Sequence, residues 1–196
     1  QRANMIPGMH VMARKLQLAR ALNRLRRLFA EEFAFYPQTW SLPLELEEFK
    51  AHCAHVQTKA DHQPPTYIVK PSAGCQGAGI YLVRWPQQLH GSQRAAAVVQ
   101  EYVASPLLLD GLKFDLRCYV LVKSVQPLVA YLYREGMARF ATAPYAPPDE
   151  SNLSNVFMHL TNYSLNKHNP DYVAAGTGGI QSGEESSTAA GAAAGD

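Results

Sequence analysis

Residues Thr66–Ile80 read T-Y-I-V-K-P-S-A-G-C-Q-G-A-G-I: two β-rich runs on either side of a lysine and a glycine-rich turn. The β-rich run Tyr67-Ile68-Val69 delivers Lys70 and is stopped by Pro71, which cannot continue a hydrogen-bonded ladder. Gly74, Gly77 and Gly79 then fall within six residues, before a second β-rich run, Ile80-Tyr81-Leu82-Val83. Glycines tolerate positive φ and leave backbone N–H groups uncovered, and a lysine adds a point charge, so strand, cation, glycine turn and strand together suit phosphate oxygens. A plain hairpin with a loose tip would need neither Lys70 nor three glycines. The pattern is not a P-loop, because no G-K-[ST] closes it onto a helix, and it is not G-x-G-x-x-G.

A chain of 196 residues allows one core of ordinary size, or one and a half. Apolar residues at 47% and charged residues at 17% describe a soluble, globular chain. No run of eighteen apolar residues exists, so no membrane span is expected. The start, Q-R-A-N-M-I-P-G-M-H, has no apolar h-region and no initiator Met at position 1, which reads as a fragment without a signal peptide. Cys53, Cys75 and Cys118 are odd in number and far apart, which fits a reducing, cytoplasmic compartment better than a disulfide framework.

Residues 1–30 hold seven Lys or Arg and no Asp or Glu. Leu18, Leu22, Leu25 and Phe29 recur at helical spacing, predicting an amphipathic helix from Met12 to about Ala30. Arg20, Arg24 and Arg27 share another face; with no carboxylate to balance them they form a docking surface for an acidic partner rather than a merely solvated face. An extended aromatic stretch around Pro37 and Pro43 follows, then a short acidic helix from Leu44 to about His55. His52, Cys53 and His55 have no convergent fourth ligand and are not assigned a metal.

Further on, Gln87–Arg94 is a polar connector, and Ala97–Val103 reads as a strand ended by Ser105-Pro106. Its polar end could set backbone groups beside a flat heterocycle; a buried strand with a polar tip accounts for it equally well. Lys113–Lys123, K-F-D-L-R-C-Y-V-L-V-K, alternates with period two. Lys113, Asp115 and Arg117 fall on one face, and Phe114, Leu116, Cys118, Val120 and Val122 on the other, expected to be the core side. Three charges in mid-strand are costly unless they serve each other or a ligand, and a single opposite pair leaves a spare cation. With turns at Ser124–Pro127 and Glu135-Gly136, the run from Lys113 to Thr142 predicts a three-stranded antiparallel meander. Asn152–Lys167 is rich in side-chain donors, and from Ala174 onward a Gly, Ala, Ser and Thr composition predicts disorder.

The blocks I-V-K-P-S-A-G-C-Q-G-A-G-I, V-V-Q-E-Y-V, P-L-L-L-D-G-L-K-F-D-L-R-C-Y-V-L-V, R-E-G-M-A-R-F-A-T and F-M-H-L-T-N-Y-S-L-N-K resemble, in order, those of the tubulin tyrosine ligase-like family. P-G-M-H with the basic helix and Y-P-Q-T-W-S-L-P resemble the blocks before them, so the match runs over roughly 6–172. The polyglutamylase branch is the most similar. The resemblance implies an α+β, ATP-grasp-like fold in which a basic N-terminal helix precedes mixed and antiparallel sheets, with the C-terminal part of the ATP-grasp domain missing. Three regions follow: 1–60 (helix and Pro/aromatic segment), 61–172 (partial ATP-grasp region) and 173–196 (disordered tail).

The implied activity is ATP-dependent ligation of glutamate to glutamate side chains of tubulin C-terminal tails through an acyl phosphate. Carried over by position, Lys70 and the loop Gln76, Gly77, Ala78, Gly79, Ile80 hold phosphates, and Gln100, Glu101, Tyr102 and Val103 frame the adenine. Lys113, Phe114 and Asp115 lie along the nucleotide, Arg117 stands near the reacting phosphoryl group, and Thr161 and Asn162 also touch ATP. Lys70, Lys113, Asp115 and Arg117 form the catalytic set. Arg139, Tyr163 and Ser164 hold the incoming glutamate, and Arg20, Arg24 and Arg27 dock the tubulin tail. The implied cofactors are ATP and Mg²⁺; the partners are tubulin tails, microtubules and free L-glutamate, with neither nucleic acid nor membrane; the setting is the cytoplasm and cytoskeleton, including a cilium or flagellum axoneme or basal body. Two departures stand out. Ala78 replaces a usual basic residue, and one charge-assisted contact is worth about 1.5–3 kcal/mol. The family's magnesium ligands, an Asp and a later Glu-x-Asn, have no match, and Asp149, Glu150, Glu184 and Glu185 are not assigned metal. A fragment or truncated product without full activity is therefore expected. The alternatives are a non-catalytic microtubule-binding module of the same fold, or a glycylase or tyrosine ligase of the same family.

Overall fold

A computed structural model describes residues 6–58, 64–90 and 96–173. The expected boundary near residue 60, the end of the polar connector and the tail from Ala174 lie outside the described residues. The N-terminal pattern folds as α1, Lys15–Leu28. It has no carboxylate in its first turn and carries Arg26 and Arg27 in its last, where cations suit the helix dipole. The helix is fastened to the following segment by Asn23 Nδ2 donating to the Thr39 carbonyl (2.9 Å) and Arg26 Nη1 donating to that of Tyr36 (2.9 Å).

Four short strands, β1 (Thr39–Leu42), β2 (Tyr67–Pro71), β3 (Tyr81–Val83) and β4 (Ala97–Glu101), form an antiparallel sheet in the order β1-β4-β2-β3. Period two divides its side chains between two clusters. Trp40, Leu42, Tyr67, Val69, Val83 and Val99 pack with Phe49 and Cys53 of α2, Leu46–Thr58. Phe49 stands edge-on to Tyr67 with ring centroids 5.0 Å apart, and His52 lies against the Trp40 ring at 4.8 Å. Ile68 and Leu82 join Tyr102 and Leu160 in the second cluster, together with Leu153, Val156 and Leu165. That second cluster brings residues 153–165 onto the sheet, and Lys70 and Gln100 alternate in step with Ile68 on that side.

The other sheet consists of β5 (Leu108–Leu109), β6 (Leu112–Val125) and β7 (Leu128–Phe140). The predicted meander is corrected here: Glu135-Gly136 is not a turn, and β7 runs through it. Between the pairs Cys118–Gly136 and Val120–Leu132, two steps along β6 face four along β7, so the glycine marks a bulge. A Cβ on Gly136 would come within 2.7 Å of the Arg117 carbonyl oxygen, which is why a residue that resembles a turn signal is needed mid-strand. The core-side expectation is corrected as well. Leu116, Cys118 and Val120 are exposed, and so are Tyr131 and Leu132 across the ladder. Alternation shows that a strand has two faces; which one is covered depends on what packs there. The segment 152–167 supplies two single turns, α3 (Val156–His159) and α4 (Tyr163–Asn166). No helix among the described residues is long and apolar enough to cross a membrane.

Candidate nucleotide site

Lys70 sits near the end of β2, and its Nζ donates to Gln100 Oε1 at 2.7 Å. The Gln100 amide is oriented in turn by Nε2 donating to Thr39 Oγ1 at 2.9 Å. Lys113, at the start of β6, donates to the Tyr102 hydroxyl (2.8 Å) and the His159 carbonyl (3.0 Å), with its Nζ 4.2 Å from the centre of the Tyr102 ring. Lys15, at the start of α1, donates to the carbonyls of Pro71 (2.8 Å) and Gly74, the two ends of the turn after β2. All these acceptors are neutral. Among the described residues the ion pairs are Lys50–Glu47 and Arg139–Asp115, and neither involves these three lysines.

The electrostatic consequence is mutual strain. Burial, and then the charge of Lys70, bring the Lys113 ammonium from 10.5 down to about 8, against the pull of Asp115. Lys70 is also lowered, by burial first and by Lys15 second. Each would be more comfortable beside an anion. Asp115, the carboxylate on this side, is otherwise engaged. Arg139 of β7, its direct cross-strand neighbour, grips it with Nε at 2.7 Å and Nη2 at 2.6 Å, and Thr161 Oγ1 donates to it at 2.8 Å. Burial pushes the Asp115 carboxyl up, but these hydrogen bonds, with the Arg139 and Arg117 charges, outweigh it and hold the group below the usual carboxylate range.

The glycine turn is seated on the segment after α3. Gln76 (φ 56°), Gly77 (φ 91°) and Gly79 (φ 68°) have left-handed backbone. The Ser164 hydroxyl donates to the Gln76 carbonyl, and a Cβ on Gly77 would lie 2.8 Å from Leu165 Cδ1 and 3.0 Å from Asn162 Cγ. Two loop N–H groups are spent inside the turn, Ala78 on the Cys75 carbonyl (3.0 Å) and Ile80 on that of Gly77 (3.2 Å). The segment 161–164 thus touches the turn through Asn162 and Ser164 and the β6–β7 hairpin through Thr161.

The structure therefore brings together Lys70, Lys113, Asp115, Gln76, Gly77, Gln100, Tyr102, Arg139, Thr161, Asn162 and Ser164, linked by the contacts above. Phe114 stacks on Phe140 across the hairpin (5.7 Å), and Arg117 is exposed on the next stretch of β6. Arg139, expected to hold the incoming glutamate, forks onto Asp115 in this structure. The Glu101 and Tyr102 N–H groups donate to the carbonyls of Gln38 (2.8 Å) and Thr66 (2.9 Å), and Glu101, Val103 and Tyr163 are exposed. Arg20, Arg24 and Arg27 lie exposed on α1, where the spacing put them. A cavity of about 400 Å³ lined by Lys50, Cys53, Gln57 and Trp85 adjoins α2 and holds none of these groups. Sequence reasoning overlooked Lys15 and His159. Lys15 was one of seven cations in a basic stretch, and only its place at the start of the helix set it apart; His159 was embedded in a donor-rich segment.

The chain matches the family model described as "Tubulin-tyrosine ligase family" over residues 1–190, and it belongs to that family. It is 50% identical over 176 residues to the human tubulin polyglutamylase TTLL11, covering 87% of this chain and 24% of that protein. The Caenorhabditis elegans tubulin polyglutamylase ttll-11 is 47% identical over 177 residues, covering 90% of this chain and 25% of the relative. The chain thus spans about a quarter of the length of these curated relatives. The solved C-terminal domain of K. lactis Pby1, an ATP-grasp enzyme, superposes with a TM-score of 0.46 at 23% identity, covering 77% of this chain and 47% of that one.

Proposed function

We propose that this chain forms the nucleotide-holding part of an ATP-dependent ligase that adds glutamate to glutamate side chains of tubulin tails. One observation carries the nucleotide reading: Lys70 and Lys113 are half-buried, each in the field of another lysine, and bonded only to neutral acceptors. A polyphosphate would supply the missing counter-charge. Lys15 holds the turn from one side and Ser164 from the other, so the backbone around Gln76–Gly79 is shaped before a ligand enters.

In this reading the terminal phosphoryl group passes to a tubulin carboxylate oxygen, and the amine of free glutamate then displaces phosphate to form the amide. Lys70 and Lys113 spread the charge of the transferred group, with Arg117 beyond them, and Thr161 and Asn162 close the nucleotide side. Arg139 and Ser164 flank the side on which an amino acid would enter, with Tyr163 exposed beside them. Ala78 brings no cation, leaving Lys15 as the additional positive group at the turn. The described residues do not fit a magnesium site: no three His, Cys, Asp or Glu side chains converge, and Asp115 is taken by Arg139 and Thr161. On this reading Arg20, Arg24 and Arg27 receive the acidic tail, and the protein works on microtubules of the cytoplasm, cilium or basal body.

The test is transfer of labelled glutamate, tyrosine or glycine to microtubules by the full-length protein. Incorporation of glutamate, abolished by Lys70→Met, is expected. Incorporation of tyrosine or glycine alone would change the amino acid assigned, and microtubule binding without any transfer would favour the non-catalytic module.

A further inference from the structure

His159 lies 1% exposed beside Lys113, and its ring connects two parts of the chain. Its Nε2 is 3.1 Å from the Asn152 carbonyl oxygen, and its Nδ1 is 3.0 Å from the Tyr102 hydroxyl. A carbonyl oxygen can only accept, so Nε2 carries the hydrogen. Burial keeps the ring neutral, opposing the second proton, and Nδ1 is left as a lone pair. The Tyr102 hydroxyl must then donate to Nδ1. Having given its hydrogen to the histidine, the same oxygen receives Lys113 Nζ at 2.8 Å. Tyr145, edge-on to His159 at 6.2 Å, also neighbours the Tyr102 hydroxyl, but it spends its own hydrogen on the Ala104 carbonyl (2.7 Å) and toward Tyr102 could only accept. The Tyr102 hydrogen goes to Nδ1, since otherwise the Nδ1 lone pair would face the Tyr102 oxygen at 3.0 Å with no hydrogen between them.

The direction of every bond in this row is thereby fixed, from Lys113 to Tyr102 to His159 to the Asn152 carbonyl. His159 also holds Lys113 a second time, through its backbone carbonyl at 3.0 Å. Two of the three ammonium hydrogens are consumed, and the third remains for a ligand. We infer that His159, acting through Tyr102, is a positioning residue that fixes the rotation of the Lys113 ammonium and so pre-orients it toward a phosphate. An ammonium already held in its bound orientation gives up less freedom when the anion arrives. The inference rests on the nucleotide reading proposed above.

Two substitutions separate this role from simple packing. His159→Asn keeps an acceptor close to the Nδ1 position and gives up the Nε2 link to Asn152. His159→Gln keeps a donor toward Asn152 and gives up the acceptor that Tyr102 needs. Binding of ATP and of adenosine would be measured by calorimetry on the full-length protein. His159→Gln is expected to weaken ATP about five- to tenfold with adenosine unchanged, and His159→Asn to stay within about twofold of wild type. Equal losses in both variants, or no loss in His159→Gln, would overturn the inference while leaving the site in place. Wild-type protein that binds ATP no better than adenosine would overturn the nucleotide reading itself. Should neither variant fold, ¹⁵N-histidine NMR of the wild type decides: protonation at Nε2 alone is expected, and a hydrogen on Nδ1 would refute the relay.

Discussion

Replacing Lys113 with methionine should stabilise the ligand-free protein at neutral pH, although Lys113 makes two hydrogen bonds. Its ammonium is brought from 10.5 to about 8 by burial and by Lys70, which withholds about 3 kcal/mol from folding while the group is charged. Removing the bonds to the Tyr102 hydroxyl and the His159 carbonyl costs about 1 kcal/mol each, and methionine retains most of the apolar stem. The balance at pH 7 is a gain of about 1 kcal/mol, or a rise of about 2–4 °C in Tm for a chain of this size. The sign depends on pH. Because the folded value lies below the unfolded one, the penalty is complete below pH 8 and fades as pH rises toward 10.5. Wild type therefore gains over that window relative to the variant and should be the more stable by about 1 kcal/mol at pH 10. Urea unfolding of both proteins at pH 7 and pH 10 measures the crossing. ATP should raise the Tm of wild type and leave that of the variant nearly unmoved. A variant less stable than wild type at pH 7, or a difference that ignores pH, would refute the claim that Lys113 is held without its counter-charge.

Gly77→Ala forces a Cβ onto a backbone at φ 91° and 2.8 Å from Leu165 Cδ1, so calorimetric unfolding should show a loss of about 1–3 kcal/mol; Gly8→Ala, at φ 83° with nothing within 4 Å, isolates the backbone share. Arg139→Lys keeps a charge but gives up the forked grip on a partly exposed Asp115, and about 1 kcal/mol should be lost at pH 7. Asp115 is held below its ordinary 3.8, so its contribution is complete above that value and disappears as pH falls through the folded one; the variant's acid unfolding should begin at higher pH. Arg20→Ala, Arg24→Ala and Arg27→Ala together should weaken microtubule co-sedimentation, most visibly at low salt, without moving Tm.

The elements that carry their own local signals were legible. Tyr67-Ile68-Val69, Ala97-Val98-Val99 and the leucines of α1 are strongly patterned, and the structure places strands and helix there with ends shifted by a few residues. The glycine turn was legible as a turn because three glycines in six residues separate two β-rich runs, and two of them adopt positive φ. Partners set by tertiary packing were not. The row Lys113, Asp115, Arg117 was seen as one face, but the cross-strand register alone sets Arg139 beside Asp115, and a wrong turn at Glu135-Gly136 concealed the long hairpin that creates this register. Lys15 and His159 reach the site from more than forty residues away along the chain, a distance at which period and propensity are silent.

The placement of Arg139 explains why Lys113 remains without an anion. Asp115 is on the same strand as Lys113 and two residues away, close enough for its charge to be felt there, yet its oxygens are held by Arg139 and Thr161. A carboxylate left to turn toward Lys113 would neutralise it and stabilise the fold at the expense of the site. The cross-strand fork therefore has two effects: it ties β7 to β6, and it keeps the neighbouring carboxylate from Lys113. On the nucleotide reading proposed above, stability lost at Lys113 and Lys70 would be held in reserve for an incoming polyanion, as in a binding site and unlike a salt-bridged scaffold.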